Sequence, residues 1–273
     1  MPISKRALIE HLEEGRTHRE IAEIIGKGKS TVGYWIKRHG LKDKQKYAKP
    51  NYNDINYFEK VDTKEKAYIV GFLLGDGTMH KNREIHLTIS RKDKCIAEFI
   101  QDEIGCNIRH QERKPGYPML DISIGKSKFY NDLYNLFKGR IKKERSVPKV
   151  NNKFRKYLVL GFLDADGSIS YGYRSKTNKF WFKISFASKG NILKGIQEIL
   201  LKENILCKVK KHKTKNVCTI TMADRHRGYH FINWIYDDLV VLPRKYNQAT
   251  KVKENIENQY FENAESEINI VNR

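Results

Sequence analysis

The sequence predicts an α+β protein of two related halves behind a small all-α module, and three observations carry that prediction. A short pattern occurs twice, ninety residues apart: Val70-Gly71-Phe72-Leu73-Leu74-Gly75-Asp76-Gly77 and Leu160-Gly161-Phe162-Leu163-Asp164-Ala165-Asp166-Gly167. Each copy is followed by the same succession of helical and strand periodicities. Residues 1–41, in contrast, show helical periodicity alone.

Taken in order, the first helix spans about Ser4 to Glu14, with Leu8, Ile9 and Leu12 on one side. Thr17-His18-Arg19-Glu20 is a capping box, in which Thr17 accepts from the Glu20 amide and Glu20 reaches back. It opens a second helix whose buried side is Ile21, Ala22, Ile24 and Ile25. Ser30 caps a third helix through about His39, with Val32, Trp35 and Ile36 inward. The order Ala22, Gly26, Val32, Trp35 resembles a helix-turn-helix of the resolvase and transposase kind, whose last helix enters the DNA major groove. That resemblance implies DNA contacts from Lys29, Thr31, Tyr34, Lys37 and Arg38. Residues 42–62, basic and rich in Tyr and Asn, read as a linker laid along a phosphate backbone.

From Thr63 the chain runs through one series of elements twice. In the first half, helix Thr63 to Leu74 precedes strands at Thr78 to His80 and Glu84 to Ser90. A helix from Lys92 to Ile104, strands Asn107 to Glu112 and Met119 to Ile124, and a helix from Ser127 to Phe137 complete it. The second half repeats this with helix Asn152 to Leu163 and strands near Ser168 to Tyr173 and Lys179 to Ala187. Helix Gly190 to Glu203, strands Cys207 to Lys211 and Val217 to Met222, and helix Asp224 to Tyr236 follow. Each half is thus αββαββα, over residues 63–147 and 148–255, with a polar tail at 256–273. A period this long does not suggest a solenoid, whose units are shorter and more numerous; two halves related by a pseudo-twofold is the simpler reading and matches the near-twofold symmetry of duplex DNA.

Lys and Arg outnumber Asp and Glu by 53 to 32, for a net charge of +21, so the expected partner is a polyanion. No apolar stretch is long enough to span a membrane, and the basic N-terminus lacks a signal-peptide core, so no membrane partner and a soluble intracellular location are expected. Cys95, Cys106, Cys207 and Cys218 are isolated and read as reduced thiols, with neither a disulfide framework nor a zinc site.

In each motif, small residues four apart (Gly71 and Gly75; Gly161 and Ala165) give a helix a face that another helix can approach closely. An Asp-Gly pair alone only ends a helix and opens a hairpin. Two copies in matching contexts would set two carboxylates side by side if their helices pack together. These motifs, with the strand pattern between them, resemble the LAGLIDADG homing endonucleases in their single-chain form, over residues 63–255. The resemblance implies that Asp76 and Asp166 hold the catalytic metal ions. Adjacent carboxylates without nearby His or Cys favour Mg2+ or Mn2+ over zinc, and the carbonyls of Gly75 and Ala165 are candidates to complete the sites. It also implies a lysine at the active-site water, Lys245, whose counterpart in the first half is read as Lys143. Arg91 and Ser188, or Lys189, stand where a polar residue orienting water is expected. Leu74 replaces Asp164 in the first copy, so Asp164 is assigned to structure rather than to metal.

If the apolar strand residues face the helices, the opposite face offers His86, Thr88, Arg109, Asp121, Ser123, Trp181, Lys183, Ser185, Lys208, Lys210, Thr219 and Thr221 to a major groove, forming a DNA-binding saddle. The hairpin tips, with Lys81, Arg83 and Arg174, would reach the outer parts of a long site. The reading is a monomeric, site-specific endonuclease cutting both strands of double-stranded DNA, whose role by resemblance is the spread of a mobile intron or free-standing gene. The termini carry no protein-splicing residues, so an intein is not expected. A non-cleaving DNA-binding regulator on the same scaffold, and a maturase taking intron RNA, are the alternatives.

Overall fold

The computed structural model describes residues 2–13, 16, 18–41, 50, 52–112, 116–214 and 216–271, with side chains as far as residue 259. Thr17, and with it the capping box, lies outside the described residues, as do positions 42–49 and 51 of the expected linker. The chain divides into two compact units, Met1–Asn51 and Tyr52–Arg273.

In the first unit, α1 (Lys5–Glu13), α2 (His18–Ile25) and α3 (Lys29–Arg38) close around Leu8, Leu12, Ile21, Ala22, Val32 and Ile36. Two expectations fail here. Ile24 is 55% exposed, because the inward arc of α2 runs through Ile21, Ala22 and Ile25 and Ile24 points about 100° away from its centre. Ser30 sits inside the first turn of α3, and the N-cap is Gly28, in extended conformation and without a side-chain cap.

In the second unit the order is α4 (Lys64–Asp76), β1 (Thr78–Met79), β2 (Ile85–Ser90), α5 (Lys94–Ile104), β3 (Ile108–Glu112), β4 (Pro118–Ile124) and α6 (Ser127–Phe137). It continues with α7 (Arg155–Asp166), β5 (Gly167–Tyr173), β6 (Phe180–Ser188), α8 (Gly190–Lys202), β7 (Lys210–Lys211), β8 (Cys218–Met222), α9 (Arg225–Ile235) and α10 (Pro243–Val271). Two antiparallel sheets result, ordered β1-β2-β4-β3 and β5-β6-β8-β7. The αββαββα succession therefore holds twice. The expected strand Cys207 to Lys211 shrinks to Lys210–Lys211, with Cys207 buried beneath the sheet instead. α10 begins by burying Ala249, Val252 and Ile256 and continues into the region expected as a tail. Residues 52–62, expected as linker, fold onto the first half: Tyr57 and Phe58 are buried, and Tyr52 meets Phe129 edge-on at 4.9 Å. No helix among the described residues is long and apolar enough to cross a membrane, and the four cysteines are free thiols.

α4 and α7 form the centre, and the local sequence explains both. Thr63 caps α4 by accepting from the Lys66 amide at 3.1 Å, while α7 starts from a 3-10 turn at Asn152–Phe154 capped by Asn151. Neither helix is amphipathic, since every residue from Ala67 to Gly75 and from Tyr157 to Asp164 is buried; a helix apolar all round belongs inside. Their contact is backbone to backbone. A Cβ on Gly71 would stand 2.0 Å from the Leu158 carbonyl oxygen, and one on Gly161 would stand 2.0 Å from that of Tyr68. Both helices run two or three residues beyond the expected ends, so each Asp closes the last turn.

Candidate active site at the helix junction

Near their C-terminal ends the helices still touch: a Cβ on Gly75 would be 2.5 Å from the Ala165 Cβ. One residue later come Asp76 and Asp166. The surrounding protein raises the Asp76 carboxyl pKa, the Asp166 charge raises it further, and Lys142 and Lys245 oppose the shift. The side chain of Asp76 nevertheless keeps an open, solvent-facing part. Asp166 is more enclosed and is held twice, by Lys142 Nζ at 2.6 Å and by the Ser188 hydroxyl donating at 3.2 Å.

The cations behind the carboxylates differ from the expected set. Lys245 is buried, and its Nζ donates to the carbonyls of Leu163 (2.5 Å), Asp164 (2.8 Å) and Gly167 (2.8 Å) at the C-terminal end of α7. Burial lowers its pKa to about 8, against the pull of Asp164. The first-half counterpart is not Lys143, which is exposed, but Arg145. Its buried guanidinium donates Nη1 to the carbonyls of Leu73 (3.2 Å) and Gly77 (2.8 Å), the positions matching Leu163 and Gly167. The turn after α6 tucks Arg145 inward and leaves Lys142 and Lys143 outside, and only Lys142 reaches across to a carboxylate. Both motif helices therefore end on a buried cation, which the helix dipole favours.

Arg91 is exposed in a 3-10 turn after β2. By strand register Thr78 pairs with His86 and Ser168 with Ser185, so Ser188 corresponds to Ile89 and Arg91 falls two residues past that position. Lys189 donates to the Asn216 carbonyl, away from Asp166. Asp164 accepts from the Tyr68 hydroxyl at 2.8 Å across the helix interface, and burial raises its pKa to about 7. Arg244 grips Asp93 with two bonds at 2.7 and 2.8 Å, tying the start of α10 to the first half.

Two carboxylates so placed repel one another, and a hard cation between them would relieve that repulsion. The carbonyls of Gly75 and Ala165, beyond the last helical bonds, receive no hydrogen bond among the described residues. Among those residues no group of three or more His, Cys, Asp or Glu could hold a metal. The donor set fits Mg2+ or Mn2+ completed by water and phosphate oxygens, which is how Mg2+ commonly binds.

The remaining expected contacts fall into three places. His86 and Thr88 alternate with buried residues on β2, with Arg109 in register beside Asp121 and Thr88. Lys183 on β6 and Lys210 on β7 are exposed on their sheet; Lys208 is exposed just before β7. Lys81, Arg83 and Arg174 are exposed at hairpin tips. In the N-terminal unit, Lys29, Tyr34, Lys37 and Arg38 are exposed on α3 and Thr31 is half-buried. Arg38 bonds the Tyr34 hydroxyl at 2.5 Å and lies 5.2 Å over Trp35.

Lys142, Arg145 and Tyr68 were missed. The path from the end of α6 (Phe137) to Arg145 is shorter than that from the end of α9 (Ile235) to Lys245, so no fixed offset between the halves points to Arg145.

Residues 159–256 match the family described as LAGLIDADG endonuclease. Among solved structures, the I-LtrWI LAGLIDADG homing endonuclease bound to target DNA is similar with a TM-score of 0.52 at 14% identity, over 76% of this chain and 92% of that one. The LAGLIDADG meganuclease I-AabMI bound to uncleaved DNA gives 0.51 at 10% identity, over 70% and 91%. Meganuclease I-SmaMI bound to uncleaveable DNA gives 0.52 at 11%, over 75% and 92%. No curated protein matches by sequence.

Proposed function

With a second half that is a LAGLIDADG endonuclease domain, and with the fold of the single-chain LAGLIDADG homing endonucleases over both halves, we propose that this protein is a site-specific DNA endonuclease. It hydrolyses one phosphodiester on each strand of a long duplex target, acting as a monomer through its pseudo-twofold. The observation that carries this is the meeting of Asp76 and Asp166 at the ends of two helices welded through Gly71 and Gly161. Bound Mg2+ or Mn2+ would activate water and stabilise the leaving oxygen. Asp76 and Asp166, with the carbonyls of Gly75 and Ala165, would hold it. Lys142 and Ser188 fix the orientation of Asp166, and Lys142 offers positive charge where a phosphate would approach. Lys245 and Arg145 act one layer deeper, anchoring the helix ends that carry the carboxylates.

The outer sheet faces and hairpin tips would read the duplex, and α3 of the N-terminal unit would extend the contact. Removing residues 1–51 is expected to weaken binding and shorten the footprint while the remaining unit keeps its melting temperature. Binding should weaken steeply with salt, because each neutralised phosphate releases counterions.

The test is incubation with a randomised duplex library, with Mg2+ and with EDTA, followed by sequencing of new ends. Recurrent Mg2+-dependent ends at one long sequence are expected. Enrichment of bound duplex without new ends would replace the proposal with a regulator, and retention of intron RNA alone would replace it with a maturase.

A further inference from the structure

On the outer face of the second sheet, among hydroxyls, charges and the small Ala187, one exposed side chain is a large aromatic. β5 leaves the helix junction directly after Asp166 and pairs with β6 over seven positions, from Gly167–Phe186 to Tyr173–Phe180. Ile169, Phe182, Ile184 and Phe186 take the core side. From the carboxylate outward, the other side carries the pairs Ser168–Ser185, Ser170–Lys183 and Gly172–Trp181. The two serine hydroxyls bond each other at 2.9 Å, and Trp181 is 39% exposed. A Cβ on Gly172 would stand 3.3 Å from the indole Nε1 and 3.4 Å from Cε2 and Cζ2. The ring therefore lies across the Gly172 backbone, with its nitrogen toward the strand and carbon left to face outward. In the first sheet the matching row Thr78–His86–Ser123 and the next one outward, His80 with Glu84, are polar, and the hairpin turns before any row matching Gly172–Trp181.

Strands and DNA share a ruler. A strand rises ~3.3–3.4 Å per residue and B-DNA ~3.4 Å per base pair, so Gly172 lies about 17 Å, or about five base pairs, outward from Gly167. Of the groups on major-groove base edges, the C5-methyl of thymine is the apolar one. An indole that presents carbon there complements that methyl and offers nothing to the polar edges of the other bases.

Resting on the reading of this face as the DNA-contacting surface, we propose that Trp181 selects a thymine about five base pairs outward from the Asp166 side of the cut, with Gly172 as the positioning residue that seats the ring.

The test uses the full chain and the target recovered from the library, with affinity measured in EDTA. Each thymine of the half-site under the second half is replaced singly by deoxyuridine, which keeps every hydrogen bond and removes only the methyl. One position about four to six base pairs outward should lose about fourfold in affinity, the value of one buried methyl. W181A should erase that thymine preference and leave the others. W181F should keep much of it, and G172V, which retains the tryptophan but unseats it, should lose it. Absence of a thymine from that stretch, equal sensitivity along the half-site, or a preference that survives W181A overturns the assignment. A chain that binds a defined target without cutting overturns the endonuclease reading alone, and the affinity ratios then decide this one. A chain that binds no duplex DNA overturns both.

Discussion

The two halves share topology and central geometry yet differ around their carboxylates and in their reach. Asp166 is held by Lys142 and Ser188 and has the buried Asp164 two residues before it; Asp76 stands in a half where Ile89 and Leu74 occupy the matching positions. Ser185 stands seventeen positions after its partner Ser168, whereas His86 stands eight after Thr78. What the halves keep in common is the scaffold: glycine-mediated helix contact and a buried cation under each helix end. What varies is polarity at the site and the length of the arm, which can change without disturbing the core.

The largest expected effect tests the common part. Gly71→Ala and Gly161→Ala each drive a methyl onto a backbone carbonyl that cannot move without its helix. Each should destabilise by about 3 kcal/mol or more, with loss of a cooperative denaturant transition. Equal damage is expected on the two sides, and tolerance of either change would break the symmetry of the helix contact.

Next come Asp76→Asn and Asp166→Asn, expected to bring double-strand cleavage to background while leaving affinity for the target largely intact. Comparable loss of binding in both variants would make the carboxylates structural.

The difference at Leu74 and Asp164 is sharpened by exchanging them. Leu74→Asp would bury a carboxyl without a partner and should cost about 3–5 kcal/mol. Asp164→Leu should cost less and change the pH profile. The folded pKa of Asp164, about 7, lies above its unfolded value, so the folded protein holds a proton that the unfolded chain releases. Wild-type stability should therefore fall as pH rises from about 4 to 7, and the variant's profile should be flatter across that window in denaturant midpoints. A parallel profile would mean that Asp164 stays ionised.

The smallest effect concerns Ser188. Ser188→Ala removes one bond to Asp166, and a hydrogen bond of about 1 kcal/mol corresponds to roughly fivefold. The loss should fall on one strand and be visible as nicked intermediate from a plasmid substrate. An equal slowing of both strands would mean that the two carboxylates act as one unit.

Much of this was legible in the residues because it is local. The doubled motif gave the helix pair, since small residues four apart have one use on an apolar helix, and the alternation of Ile85, Leu87 and Ile89 with His86 and Thr88 gave a strand with two faces. Asp76 and Asp166 could be named for the same reason. The cation set was misread because it depends on a turn: among Lys142, Lys143 and Arg145, the sequence shows three similar charges, and only the path after α6 decides which is buried, which pairs with Asp166 and which is solvated. Ile24 was misplaced because hydrophobicity says that a side chain prefers burial, not that a neighbour exists to bury it.

By itself, then, the sequence determined the two-half α+β architecture, the helix contact and the paired carboxylates, all of which rest on periodicity and on residue size at fixed spacing. Only the tertiary structure decided that Arg145 and Lys245 are equivalent, that Ser188 holds Asp166, and that Trp181 lies over Gly172. Those relations join residues far apart in the chain or opposite in a register, and register is fixed by packing of the whole sheet rather than by any segment within it.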